Sequence, residues 1–196
     1  MGNLRKEGMV SDSSSLVSRM IRASRLEVAL YEEVEVDTKA TSQALIAVVV
    51  VAVATAIGSG IGALGTRGIL GFLWGLVGGL VASLIGWLVW SYLTYILGTT
   101  VLKGANTSAT WGELLRTIGF AHSPGVIRIF SFIPYFGGLI SFAAFIWFLI
   151  AGVVAVRQAL DVSTGRALAV CIVGWLVYLA IMVVFGLLVM GFKGLF

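Results

Sequence analysis

The stretch GILGFLWGLVGGLVASLIGWLVWSYLTYILGTTVL, residues 68–102, carries no charged side chain over its whole length. A helix needs roughly 20 apolar residues to cross about 30 Å of hydrocarbon, so this stretch decides the fold class. Outward from it, residues 40–66, 129–156 and 167–192 are also free of charge, and each passes the same length test. The chain is 59% hydrophobic and only 11% charged, against about 25% charged in ordinary soluble domains. Too few polar residues remain to cover a water-facing surface, and most lie in the first forty positions. The pattern predicts an all-α integral membrane protein. Its transmembrane helices number five, the third short and broken, in a bundle preceded by an amphipathic N-terminal helix.

Three regions follow from the charge distribution. Residues 1–14 are Gly, Ser and charge without periodicity and are expected to be disordered. Residues 15–38 form an amphipathic and acidic segment, and residues 39–196 form the transmembrane domain. The first apolar run begins near Ala44, too late for a secretory signal, and Lys6 stands where myristoylation requires Ser or Thr. From Ser15 to Leu26, Leu16, Val17, Met20, Ile21 and Ala23 share one side of a helix, and Arg19, Arg22 and Arg25 share the other. Such a helix either lies in the membrane interface with its arginines on lipid headgroups or docks on the protein's own loops. Glu27 to Asp37 then reverses the charge, and the Asp37 carboxylate is placed to cap the first spanning helix.

The first span (about 41–65) and the second (about 69–98) are joined by a tight turn at Thr66-Arg67-Gly68. Small residues recur at four-residue spacing in both. Ala54, Gly58 and Gly62 make one ladder, and Gly71, Gly75, Gly79 and Ser83 make another. Small residues let helix backbones approach closely in lipid, where hydrophobicity cannot drive association. The ladders predict either that the two helices pack on each other, Gly75 and Gly79 against Gly58 and Gly62, or that one ladder faces a partner protein.

After Lys103 comes a polar loop that closes on Thr110-Trp111-Gly112-Glu113, the spacing of a capping box. The helix that follows is interrupted at His122-Ser123-Pro124-Gly125, where Ser123 can cap and Pro124 can open a new helix. Residues 111–133 therefore make the broken third element, ahead of a fourth span (about 138–158) and a fifth (about 166–191). With five spans, ten cations fall on the cytoplasmic side: Arg5, Lys6, Arg19, Arg22, Arg25, Lys39, Lys103, Arg116, Arg157 and Arg166. Arg67 and Lys193 fall outside, and Arg128 is left in or near the membrane. If the broken element does not cross, Arg157 and Arg166 move outside, Arg128 and Lys193 move inside, and the count is ten against three; five spans are preferred, and both arrangements predict a cytoplasmic N-terminus.

Three motifs carry a resemblance: Leu30-Tyr31-Glu32-Glu33-Val34-Glu35, the run Thr117 to Gly125, and Arg157-Gln158-Ala159-Leu160 with Ser163-Thr164-Gly165-Arg166-Ala167. In these the chain resembles the prokaryotic branch of the Yip (Ypt-interacting protein) domain family, over roughly Leu30 to Leu188. The resemblance implies a five-helix membrane domain with a cytoplasmic N-terminus. Eukaryotic members resemble adaptors that associate with small Rab-type GTPases and with related five-helix partners. Their Asp-Leu-x-Gly-Pro signature does not occur in this sequence, which puts small-GTPase binding in doubt.

The chemistry for an enzyme is missing. There is one His and one Cys, and Glu113 and Asp161 are the only acidic residues after Asp37. General acid–base catalysis needs a positioned pair, and a metal site needs three or four ligands. No cofactor or metal is expected, and the cations flank membrane segments rather than forming a nucleic-acid surface. Gly58-Ser59-Gly60-Ile61-Gly62 lies within a span and lacks the Gly-Lys-Ser/Thr ending of a phosphate loop. Four groups of residues are candidates for function. His122 either ligates a porphyrin-type metal or satisfies backbone groups freed at the helix break. Arg128, costly at membrane depth by roughly 2.5–3.5 kcal/mol on insertion scales, is functional or snorkels to the interface. Arg19, Arg22 and Arg25 would contact lipid headgroups. Ser163, Thr164 and Arg166, at a helix N-terminus, bind a lipid phosphate or simply cap. The reading is a non-enzymatic adaptor or accessory subunit whose partners are the bilayer and other integral membrane proteins. The alternative is a small transporter or lipid-handling protein built on the broken element.

Overall fold

The computed structural model describes residues 15–193, so residues 1–14 and their expected disorder lie outside it, as do the surroundings of Gly62. Among the described residues every regular element is helical. Helix α1 (Leu16–Ser24) starts where the Ser15 hydroxyl accepts from the Ser18 amide, and α2 (Val28–Val36) follows a turn whose Leu26 has φ 60°. Helix α3 (Ala40–Ile96) begins beside Asp37, whose carboxylate accepts from the Lys39 amide at 3.0 Å. It bends at Gly68, where φ 64° suits a residue without a Cβ. The bend divides α3 into a first arm, Ala40–Ile61, and a second arm that runs from Gly68 to Val101 and ends in a π-helical turn, Leu97–Val101.

Helix α4 (Trp111–Ala121) opens on the predicted capping box: Thr110 accepts from the Glu113 amide, and Glu113 accepts from the Thr110 amide at 2.8 Å. Past His122 the chain tightens into a 3-10 helix, Ser123–Phe132, with Pro124 at its start. Ser123 does not cap it. His122 occupies that position, and the Ser123 hydroxyl is buried without a hydrogen-bond partner. Helices α5 (Gly137–Ala159) and α6 (Thr164–Lys193) complete the bundle. Among the described residues four segments are long and apolar enough to cross a membrane: the two arms of α3, α5, and Thr164–Ile181 of α6.

A single apolar core ties the N-terminal helices to the bundle. Leu30, Tyr31 and Val34 of α2 are fully buried with Ala40, Ala44, Leu114 and Ile118. The glycine ladders do something other than the predicted mating. A methyl built on Gly58 would lie 2.0 Å from the Arg128 carbonyl oxygen, so Gly58 admits the 3-10 helix rather than the second arm. Gly75 and Gly79 have nothing within 4 Å of such a methyl. The hairpin packing of Gly75 and Gly79 on Gly58 is therefore corrected. The arms meet near the bend, where Gly60 receives the Phe72 ring, and then diverge. The reason is competition: the 3-10 helix takes the close approach that Gly58 offers.

The register of α4 and the 3-10 helix along the first arm is set by three such contacts. Gly119 sits on Ala44, Gly125 on Val51, and Arg128 on Gly58. The two segments therefore run side by side in the same direction.

Candidate functional site

Where the arms of α3 diverge they leave a cavity of about 520 Å³, lined on its other sides by the 3-10 helix, α5 and α6. Its walls are mainly aliphatic and aromatic: Val48 and Val51 from the first arm, Trp87 and Trp90 from the second, Phe148 from α5. Trp87 is held in place by its indole N–H, which donates to the Leu115 carbonyl at 3.0 Å. The volume falls within the roughly 300–1,000 Å³ of small-molecule sites.

The cavity brings together His122 and Arg128, which lie on opposite sides of Gly125 in sequence. The His122 Nδ1 lies 2.8 Å from the Ile118 carbonyl oxygen. A carbonyl only accepts, so Nδ1 carries the proton and a neutral ring keeps its lone pair on Nε2. That bond satisfies a carbonyl near the helix break, while the ring rests on Phe148 with centroids 4.8 Å apart. Arg128 differs. Its Nε is buried without a hydrogen-bond partner, and no carboxylate among the described residues forms a salt bridge with it. Of the second-arm ladder, Ser83 lines this cavity, Gly71 is half-buried, and Gly75 and Gly79 face outward.

The N-terminal arginines are placed differently from the headgroup reading. Arg19 is 4% exposed. It donates to Glu33 at 3.0 Å, to Gln43 at 2.9 Å and to Asp37 at 2.8 Å. Arg22 donates to Glu33 at 2.6 Å and to Glu27 at 3.1 Å. Both turn toward the acidic segment that follows, which offers carboxylates at close range. Arg25 is exposed, and so are Ser163, Thr164 and Arg166 at the start of α6. Outward on α1 stand Val17 and Ile21, while Leu16, Met20 and Ala23 pack on the core.

Sequence reasoning missed Arg116. Its guanidinium is buried and donates to the Val34 carbonyl at 2.8 Å and to the Glu35 carbonyl, fastening α4 to the end of α2. Around this clamp the Glu35 carboxyl is pushed up to about 7, first by burial and then by the nearby Asp161 and Glu113 charges. Asp37 moves the other way, held below its ordinary value chiefly by its hydrogen bond from Arg19. Among the described residues no three His, Cys, Asp or Glu side chains gather as a metal site.

The model of the Yip1 domain family matches residues 29–187. The chain belongs to the Yip1 domain family. The match begins inside the acidic segment and ends within α6, so it takes in α2, both arms of α3, the cavity and the Arg116 clamp. No curated protein and no solved structure matches the chain. It is a Yip1-family membrane protein with several apolar helices.

Proposed function

We propose that this Yip1-family protein is a non-enzymatic adaptor or accessory subunit, multi-pass in the cytoplasmic membrane of a prokaryote, that acts by binding other membrane proteins. The observation that carries the reading is the second arm of α3. None of its most apolar window is buried, and Gly75 and Gly79 on it face open space. Small residues on an exposed spanning helix let a second helix approach closely, and among the described residues nothing meets Gly75 or Gly79. Five crossings are supported by the register of α4 and the 3-10 helix, which follow the first arm from Ala44 to Gly58. That is about 21 Å at 1.5 Å per residue. The cation count puts the N-terminus in the cytoplasm and the C-terminus on the opposite face.

Photocrosslinkers introduced at Trp74 and Val77, both exposed on the second arm, test the adaptor reading in intact membranes. The expected result is a discrete protein adduct. Adducts to lipid alone at both positions would count against it. A reporter fused after Phe196 that works only in the cytoplasm would exclude five crossings.

A further inference from the structure

Arg128 presents a buried, unpartnered Nε on the 3-10 helix, and the residue lines a largely apolar cavity. An arginine inside a membrane bundle ordinarily pairs with an acid or with backbone carbonyls. Here no carboxylate lines the cavity among the described residues. A charged donor set with no internal counter-charge is complementary to an anion brought by a ligand.

The shape of the cavity says what else that ligand carries. On α5 its lining runs from Ala144 to Val153, and on α6 from Leu168 to Tyr178. At 1.5 Å per residue those stretches are about 14 and 15 Å long. That is about half of the roughly 30 Å hydrocarbon thickness, the depth of one leaflet. On the first arm Thr55 lies toward the Gly58–Arg128 contact and Val48 lies away from it. One wall is open: Phe145, Leu149, Ile172 and Trp175 line the cavity yet keep a large share of their surface exposed. A molecule dissolved in the bilayer can therefore enter between α5 and α6 without passing through water. Gly152 is buried on the lining with nothing within 4 Å of a built methyl, so it marks empty volume rather than a packed contact.

The geometry points to a binding site for a single-chain amphiphile with an anionic head, drawn laterally from the membrane, its carboxylate or phosphate on Arg128 and its acyl chain along the apolar walls of the cavity. This site does not depend on the adaptor reading, which rests on the outer face of the second arm.

Native mass spectrometry of the full chain in a non-ionic detergent tests it, with palmitate, lysophosphatidate and methyl palmitate as probes. Saturable binding of one palmitate or one lysophosphatidate is expected, at least ten-fold tighter than the uncharged ester. The tighter of the two acids assigns a carboxylate or a phosphate head. Arg128→Gln is expected to lose at least ten-fold in affinity for the acid and nothing for the ester. Gly152→Leu, which fills the cavity, is expected to lose both. If Arg128→Gln does not fold, the acid-against-ester comparison in the parent still reads the charge, and Gly152→Leu still reads the place. Binding that never saturates, equal binding of acid and ester, or full binding by Gly152→Leu would overturn the site. A second copy of the chain or another protein occupying the cleft in place of the probe would overturn it too.

Discussion

Arg19 and Arg128 are both arginines drawn into a bundle of apolar helices, and the structure treats them in opposite ways. Arg19 meets Glu33, Asp37 and Gln43 within 3.0 Å and is closed off from its surroundings. Arg128 has no carboxylate partner among the described residues and lines the cavity. The difference separates a charge used for building from a charge held ready. A paired arginine fixes the position of the acidic segment over the bundle. An unpaired one leaves its interaction to be completed from outside the chain.

The largest effect should follow from breaking the built side. Removing one partner of a buried ion network leaves the others desolvated and unpaired. Arg19→Ala should cost about 3 kcal/mol, the low end of the range for buried pairs because Glu33 and Asp37 are each partly exposed. Thermal unfolding in detergent measures it. A loss no larger than that of Arg25→Ala, on the exposed side of the same helix, would mean that the network does not hold the N-terminal helices in place.

Next in size is the contact beneath Arg128. Gly58→Ala puts a methyl 2.0 Å from a backbone carbonyl oxygen, and overpacking of that kind costs about 1–3 kcal/mol. Moreover, it should displace the 3-10 helix and with it Arg128, so a stable Gly58→Ala protein would dissolve the link between the first arm and the cavity.

A smaller effect distinguishes two carboxylates two residues apart. Glu35 binds its proton more tightly in the folded state than in the unfolded chain, since its pKa is raised to about 7 from 4.5. Its contribution to stability is therefore fully present below about pH 4.5 and is lost as pH rises through 7. Asp37, lowered by Arg19, contributes stability at neutral pH that is lost on acidification below its ordinary 3.8. Between pH 5 and 8 Glu35→Gln should thus flatten the fall in melting temperature, and Asp37→Asn should not. A fall of the same steepness in parent and Glu35→Gln would remove Glu35 as its source.

Much of this fold was legible locally. The Thr110–Glu113 box and the reversal at Gly68 each rest on a few adjacent residues, and each occurs as read; Asp37 meets the Lys39 amide, but Lys39 itself is the N-cap of the first span. The partners of the small residues were not legible. A small-residue ladder states that something can come close, and the choice between the second arm and the 3-10 helix lies seventy residues away, at Arg128. The docked face of α1 was also ambiguous, because a helical wheel does not say which side turns inward. The acidic run Glu27 to Asp37 held that answer, since its carboxylates make burial of Arg19 favourable. His122 and Arg128 were visible as polar residues in an apolar context. Their common cavity was not, because it exists only where two arms that were expected to touch diverge instead.

The smallest effect on stability belongs to Gly79, and there the comparison between built and waiting surfaces is sharpest. A ladder glycine inside a helix pair should tolerate no branched side chain, as Gly58 shows. Gly79 has open space where a side chain would go, so the isolated protein loses nothing by filling it. The intrinsic helix preference of Leu over Gly even favours the change, by roughly 0.5–1 kcal/mol. Gly79→Leu should therefore melt in detergent at or slightly above the temperature of the parent. In membranes the same leucine occupies the approach path of a second helix, so any adduct captured through Trp74 or Val77 should fall several-fold. A melting temperature lowered as far as by Gly58→Ala would show that Gly79 is packed within the chain after all. An unchanged adduct would place the partner on another face, and the second arm would then be a surface for lipid alone.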